Sequence, residues 1–144
     1  MPTRDAHARW QGGIKAGNGH LETGSRAVNT AYSFGSRFDT EAGANPEELL
    51  GAAEAGCLAM AVAKALGDEG YSPEVIHVDA QVRLGESDGA PAITGVDLTL
   101  RGQAEGLRDS DLGRIANEAV KTCPVSRALA GVEINLRLAE TATA

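Results

Sequence analysis

Asn45-Pro46-Glu47-Glu48-Leu49-Leu50-Gly51-Ala52-Ala53 opens the stretch whose reading decides the fold, and no further proline interrupts it before Gly67. Asn suits an N-cap, Pro the first helical position, and the two acids complement the positive end of the helix dipole. The spacing predicts a helix to about Leu66, with Gly67 as its stop. Leu50, Ala53, Cys57, Met60, Ala61 and Lys64 follow helical spacing along one stripe, and Leu49, Ala52, Gly56, Ala59 and Ala63 form its neighbour. Small residues on nearly every face let other elements approach from all sides, so a central, buried helix is expected.

Downstream the period changes from 3.6 to 2. Ile76, Val78, Ala80, Val82 and Leu84 alternate with polar residues, and so do Val96, Leu98 and Leu100. Two antiparallel strands joined by a polar turn over 85–91 are expected. Asp109–Thr122 reads as a second helix, 125–130 as one or two further helical turns, and Ile134–Leu138 as a last strand. The tail 141–144 is expected to fray. Upstream, glycine and asparagine punctuate short runs at 8–11, 20–23 and 32–38, which fits a small antiparallel meander. The order is βββ-α-ββ-α-β, an α+β chain.

The length of 144 residues suits a single domain, 1–144. A net charge of −7 argues against nucleic acid as a partner, since phosphate binding needs a basic face. Aromatic residues make up only 3%, so the core is aliphatic and no base-stacking platform is expected. Apolar runs are only a few residues long, so no membrane span is expected. No basic-then-apolar leader opens the sequence, and a cytoplasmic protein is expected.

Two cysteines are too few for a disulfide scaffold, so they read as free or redox-active thiols. Cys57 lies in an apolar stripe, where a buried thiol is ordinarily structural and inert. Cys123 precedes Pro124 and so reads as the N-cap of a short helix. There its sulfur would face free N–H groups that favour a thiolate, or would simply serve as a cap. The cysteines are too far apart in sequence for a C-x-x-C motif. His7, His20 and His77 are scattered, and no zinc pattern is present.

Arg37 within Phe34-Gly35-Ser36-Arg37-Phe38, the N-P-E-E-L run at 45–49, Cys57, and Cys123-Pro124-Val125-Ser126 together resemble the OsmC/Ohr family of osmotically inducible and organic hydroperoxide resistance proteins. The resemblance extends over essentially the whole chain, including Trp10-Gln11-Gly12-Gly13. Val125 after Cys-Pro looks like the OsmC branch. The resemblance implies a thiol peroxidase without heme, flavin or metal, so no cofactor is expected. It implies an OsmC-like fold and an intertwined homodimer. It also implies a peroxidatic Cys57, a resolving Cys123 with a Cys57–Cys123 disulfide, and Arg37 and Glu47 beside them. An organic hydroperoxide is the implied substrate, with a dithiol or lipoyl group as reductant.

The chemistry is consistent with those residues. Thiolate attack on a peroxide leaves an alkoxide that needs charge stabilisation. Arg37 supplies a permanent charge and a donor fork, and Glu47 can hold that fork. Without the resemblance, Arg37 reads as a surface arginine and Glu47 as a first-turn acid. Ten residues separate Glu47 from Cys57, about 15 Å along one straight helix, so those two cannot touch within it. An Arg37–Glu47 pair serving Cys57 would therefore come by a reaching loop or from a second subunit. Glu54 stands one turn before Cys57, where family members often carry an uncharged residue or His. Aimed at Cys57 it would raise the thiol pKa, so it is expected to point away or to pair with a cation. Two rival functions remain at this point, a dithiol–disulfide redox sensor and a non-catalytic binding module.

Overall fold

The computed structural model describes residues 1–139, so the expected fraying of 141–144 lies outside the described residues. The chain divides into two compact units, Met1–Leu49 and Leu50–Ala144.

In the first unit, strands β1 (Ala6–Gln11), β2 (Asn18–Thr23) and β3 (Asn29–Tyr32) form the expected antiparallel meander. The expected strand over 32–38 is corrected: β3 ends at Tyr32, and Phe34–Phe38 is a short helix, α1. Ser33 is the cause. Its hydroxyl accepts from the Ser36 N–H at 3.0 Å, and the Ser36 hydroxyl accepts from the Ser33 N–H at 2.9 Å. This reciprocal capping box nucleates a helical turn where alternating large and small residues had suggested a strand. The turn brings Phe34 and Phe38, four residues apart, to a ring separation of 5.2 Å. Asn45 Nδ2 then donates to the Ser36 carbonyl at 3.0 Å, tying α1 to the start of the next helix.

That helix, α2 (Pro46–Asp68), begins as the sequence predicts, with Asn45 Oδ1 accepting from the Glu48 N–H at 2.7 Å. Its stop is displaced from Gly67 to Gly70, whose φ of +90° suits glycine. The Tyr71 N–H reaches back to the Leu66 carbonyl at 3.0 Å and Gly70 N–H to Gly67 at 3.1 Å, a Schellman closure.

The buried stripe of α2 is also corrected. In the second unit the helix buries Gly51, Glu54, Leu58, Val62 and Leu66, while Ala52, Ala53, Gly56, Met60 and Lys64 are exposed. An acid within the stripe hid it from a reading that sorted residues by polarity. One face is therefore covered among the described residues, rather than all. By length and composition alone α2 is also long and apolar enough to cross a membrane, contrary to the expectation from short runs. Alanine and glycine sustain the apolar character around Glu54. Leu58, Val62 and Leu66 share one core with the hairpin and third helix described next.

Strands β4 (Pro73–Ser87) and β5 (Ala90–Ala104) pair with Val82 opposite Val96, Ala80 opposite Leu98 and Val78 opposite Leu100. The turn is narrower than expected. Only Asp88 and Gly89 lie outside the ladder, both at positive φ (53° and 79°), the two-residue hairpin that Asp-Gly favours. Helices α3 (Asp109–Thr122) and α4 (Pro124–Ala128) carry the chain to β6 (Ile134–Leu138), which lies parallel to β5. Leu112, Ile115, Ala116 and Ala119 of α3 complete the core with Val96, Leu98 and Leu100. Each fully buried leucine contributes about 1.5–3 kcal/mol relative to exposure. The α+β class and the order of the long elements match the sequence reading.

Candidate active site

The residues singled out by the sequence fall into two clusters, one in each unit. In the first, α1 presents Arg37 and the first turn of α2 presents Glu47. Arg37 Nε donates to Glu47 Oε1 at 3.0 Å and Oε2 at 3.3 Å, and Nη2 donates to Oε1 at 2.9 Å. The carboxylate is buried, whereas the arginine side chain keeps 39% of its surface exposed. Charge-assisted bonds of this kind fix the plane of a guanidinium and leave its outer edge free to recognise an anion. The Arg37 guanidinium also lies over the Phe38 ring, 4.9 Å from its centroid.

In the second cluster, α2 presents Cys57 and the junction of α3 with α4 presents Cys123. Both cysteines are free thiols, with Sγ atoms 2.7 Å apart. Cys57 is half-buried and Cys123 is fully buried. The sequence placed Cys123 as an N-cap with its sulfur on the N–H groups of α4. It does occupy the N-cap position, but its side chain makes no capping bond. Sulfur is a weak acceptor, and here it turns to the other thiol. The α4 backbone acts instead on Cys57. Burial pushes the Cys57 thiol pKa up, and the hydrogen bond with Cys123 adds to that. The Val125 backbone group pulls it down, and the charges of Cys123 and Glu54 push it up again. The local surroundings thus keep Cys57 a thiol, and a thiolate there needs a cation.

Glu54 corrects a second expectation. Expected to point away from Cys57 or to pair with a cation, it instead raises the Cys57 pKa by its charge and pairs with no cation among the described residues. It is fully buried and accepts a hydrogen bond from Ser126 Oγ. Its place in the buried stripe of α2 turns it inward, toward α4. Ser126, within Cys-Pro-Val-Ser, has no role that the sequence alone assigns. The signal was a mirrored spacing, Glu54 three residues before Cys57 and Ser126 three residues after Cys123.

A groove of about 760 Å³ opens at Cys57, lined by Met60, Ala61, Ala65, Ala119, Thr122 and Pro124, together with Lys64, Asp68 and Glu118. Its wall beside the thiol is mainly aliphatic, which suits an organic group more than a small polar oxidant. Among the described residues no group of three His, Cys, Asp or Glu side chains is placed to hold a metal ion.

Peroxiredoxin OsmC of Escherichia coli (strain K12) is 39% identical over 127 residues, 88% of this chain and 89% of the relative. Organic hydroperoxide resistance protein-like 1 of Staphylococcus saprophyticus is 29% identical over 127 residues, 85% of this chain and 87% of the relative. In fold, the chain is similar to an organic hydroperoxide resistance protein from Elizabethkingia anophelis, with a TM-score of 0.79 at 22% identity over 96% of both chains. It is also similar to OhrB of Bacillus subtilis, with a TM-score of 0.74 at 24% identity, covering 94% of this chain and 98% of that one. A family model described as OsmC-like protein matches residues 39–137. With its two thiols, its helix and its hairpin all inside that span, the chain belongs to the OsmC-like protein family.

Proposed function

We propose that the protein is a cysteine-based peroxidase that reduces organic hydroperoxides to alcohols. The observation that carries this reading is the contact of two free thiols, 2.7 Å apart, at one end of an aliphatic groove. The names of the relatives, peroxiredoxin and organic hydroperoxide resistance protein, support it. In the first step the Cys57 thiolate attacks one peroxide oxygen. The O–O bond breaks, sulfur is oxidised to sulfenic acid, and the alkoxide takes a proton to leave as alcohol. In the second step Cys123 attacks the sulfenic sulfur, forming the Cys57–Cys123 disulfide and releasing water. A dithiol or lipoyl-type reductant then restores both thiols while becoming a disulfide itself.

Arg37 is assigned the charge that the Cys57 thiolate and the leaving oxygen require, and Glu47 orients it. The support is chemical: the surroundings of Cys57 hold it as a thiol, and Arg37 is a cation with its plane already fixed. No bound cofactor takes part in these steps. A homodimer is part of the proposal, supported by the exposed apolar face of α2, where Met60 is 77% exposed beside Ala52, Ala53 and Gly56. Light scattering is expected to give twice 14.8 kDa for the parent and a smaller mass for Met60→Lys.

The deciding test is consumption of cumene hydroperoxide with dihydrolipoamide by the parent and by Cys57→Ser. Rapid turnover that vanishes in the variant supports the assignment. No turnover by folded, fully reduced protein overturns it. The aliphatic groove also implies faster reaction with cumene hydroperoxide than with hydrogen peroxide, and equal rates would remove the groove from the argument.

A further inference from the structure

Glu54 and Ser126 take no part in the reaction as written, yet both are buried, Glu54 with no exposed surface and Ser126 with 5%. Ser126 Oγ donates to Glu54 Oε1, and Oε2 meets no hydrogen-bond partner among the described residues. A buried carboxyl group with one neutral partner is costly to hold in a core. The stripe that carries it continues with Leu58, Val62 and Leu66, so an apolar residue would suit the packing at this position. Its placement gives the pair a use. Glu54 precedes Cys57 by three residues on α2, and Ser126 follows Cys123 by three at α4. The two contacts are therefore neighbouring rungs between the same two segments. Helix α4 is five residues long, and Ser126 is its one buried residue. Beside the Cys123 sulfur contact and the Val125 backbone group at Cys57, the Ser126 hydroxyl is the side chain of α4 that ties this segment to the buried stripe of α2.

We propose that Glu54 and Ser126 are positioning residues for the capture of oxidised Cys57: their hydrogen bond anchors α4 on α2 and holds the Cys123 sulfur against Cys57. The inference rests on the reading of Cys57 as the oxidised residue. In the step it serves, the Cys123 sulfur attacks the Cys57 sulfenic sulfur. The S–S bond forms as the S–O bond breaks, and the thiol proton leaves with the hydroxide as water. A resolving thiol held in reach traps the sulfenic acid before a second peroxide carries it to the irreversible sulfinic acid. Loss of the anchor lowers the effective concentration of one thiol at the other.

The test uses the full chain, and its first arm contains no peroxide. The parent, Ser126→Ala, Ser126→Thr and Glu54→Gln are equilibrated in glutathione redox buffers, and the Cys57–Cys123 disulfide is quantified by mass after alkylation. For Ser126→Ala the disulfide equilibrium constant is expected to fall about tenfold, a potential about 30 mV less negative for a two-electron couple. Ser126→Thr keeps the hydroxyl, and Glu54→Gln keeps an oxygen acceptor, so both are expected to stay within about threefold of the parent. After one dose of cumene hydroperoxide, Ser126→Ala is expected to accumulate Cys57 sulfinic acid while the parent accumulates disulfide. An unchanged potential in Ser126→Ala, or the same loss in Ser126→Thr, overturns the inference. If Ser126→Ala does not fold, Glu54→Leu removes the acceptor while keeping an apolar stripe. It is expected to show the same tenfold loss, and a parental potential there overturns the inference. A parent that consumes no peroxide while Ser126→Ala shows the shifted potential would sink the peroxidase reading and leave the anchor standing.

Discussion

Two buried carboxyl groups on one helix, Glu47 and Glu54, are met in opposite ways. Glu47 lies under a guanidinium and accepts three charge-assisted hydrogen bonds. Glu54 is buried more completely and meets a serine hydroxyl, with one oxygen unpartnered among the described residues. The first arrangement stores a cation whose direction is fixed. The second leaves a like charge near Cys57, whose thiol pKa is raised first by burial and by the hydrogen bond with Cys123 and last by Glu54. Burial of an acid therefore does not by itself signal an ion pair, and each arrangement prepares a different half of the proposed chemistry.

The comparison breaks first at Arg37. If its charge serves the thiolate and leaving oxygen, Arg37→Ala lowers kcat/KM for cumene hydroperoxide by about 10²–10³-fold, the usual loss when one preorganised charge donor is removed. Arg37→Lys restores only part of it, because a point charge lacks the fork that Glu47 holds. Steady-state kinetics of the two variants decide the matter, and a rate for Arg37→Ala within threefold of the parent would separate the cation from the chemistry.

A smaller effect sharpens the comparison by its sign. Glu54→Gln removes a charge that raises the Cys57 pKa, so the thiolate fraction at pH 7 is expected to rise, by less than about tenfold because burial is the larger cause. Glu47→Gln weakens the hold on Arg37, so peroxide turnover is expected to fall. Iodoacetamide labelling of Cys57 as a function of pH, read beside turnover, tests both. If the two glutamine variants shift in the same direction, the two acids are not the opposites that the geometry indicates.

The raised Cys57 pKa also carries a stability consequence. For a thiol whose folded pKa lies above its unfolded one, the unfolded state loses its proton first as pH rises. The stabilisation is fully present below the unfolded pKa and is lost as pH climbs through the folded value. Urea unfolding of the parent is expected to lose more stability between pH 7 and alkaline pH than that of Cys57→Ser. Parallel losses in the two proteins would mean that Cys57 titrates as a free thiol.

Legibility in the sequence followed the same division. The start of α2, the length of α3 and the alternation in β4, β5 and β6 were readable because each rests on local chemistry: a cap, a periodic face, a pleat. The helix α1 was misread because two serines close a capping box inside a pattern that also alternates. The buried stripe of α2 was misread because Glu54 belongs to it, and polarity sorting places an acid outside. Arg37, Glu47, Cys57 and Cys123 came from the family resemblance, since each has an ordinary reading when taken alone. Ser126 was missed because its partner is 72 residues away and no local rule joins them.

The smallest prediction concerns a second arginine–glutamate pair, one with an exposed carboxylate. Arg114 donates from Nη1 to Glu69 Oε2 at 3.1 Å and from Nη2 to Oε1 at 2.8 Å, a bidentate clasp on the surface. The hydrogen bond from Arg114 holds the Glu69 carboxyl below its ordinary pKa, and burial opposes that slightly. The sign is opposite to that of Cys57. Such a carboxylate contributes stability above its unfolded pKa and loses it as pH falls through the lowered folded value. Water and salt screen the exposed pair, so Arg114→Gln is expected to leave Tm nearly unchanged at pH 7 and indistinguishable from the parent in high salt. Arg37→Gln, which strands a buried carboxylate, is expected to lower Tm clearly under both conditions. Equal losses in the two variants would show that burial of the Glu47 carboxylate adds nothing to the worth of its pair.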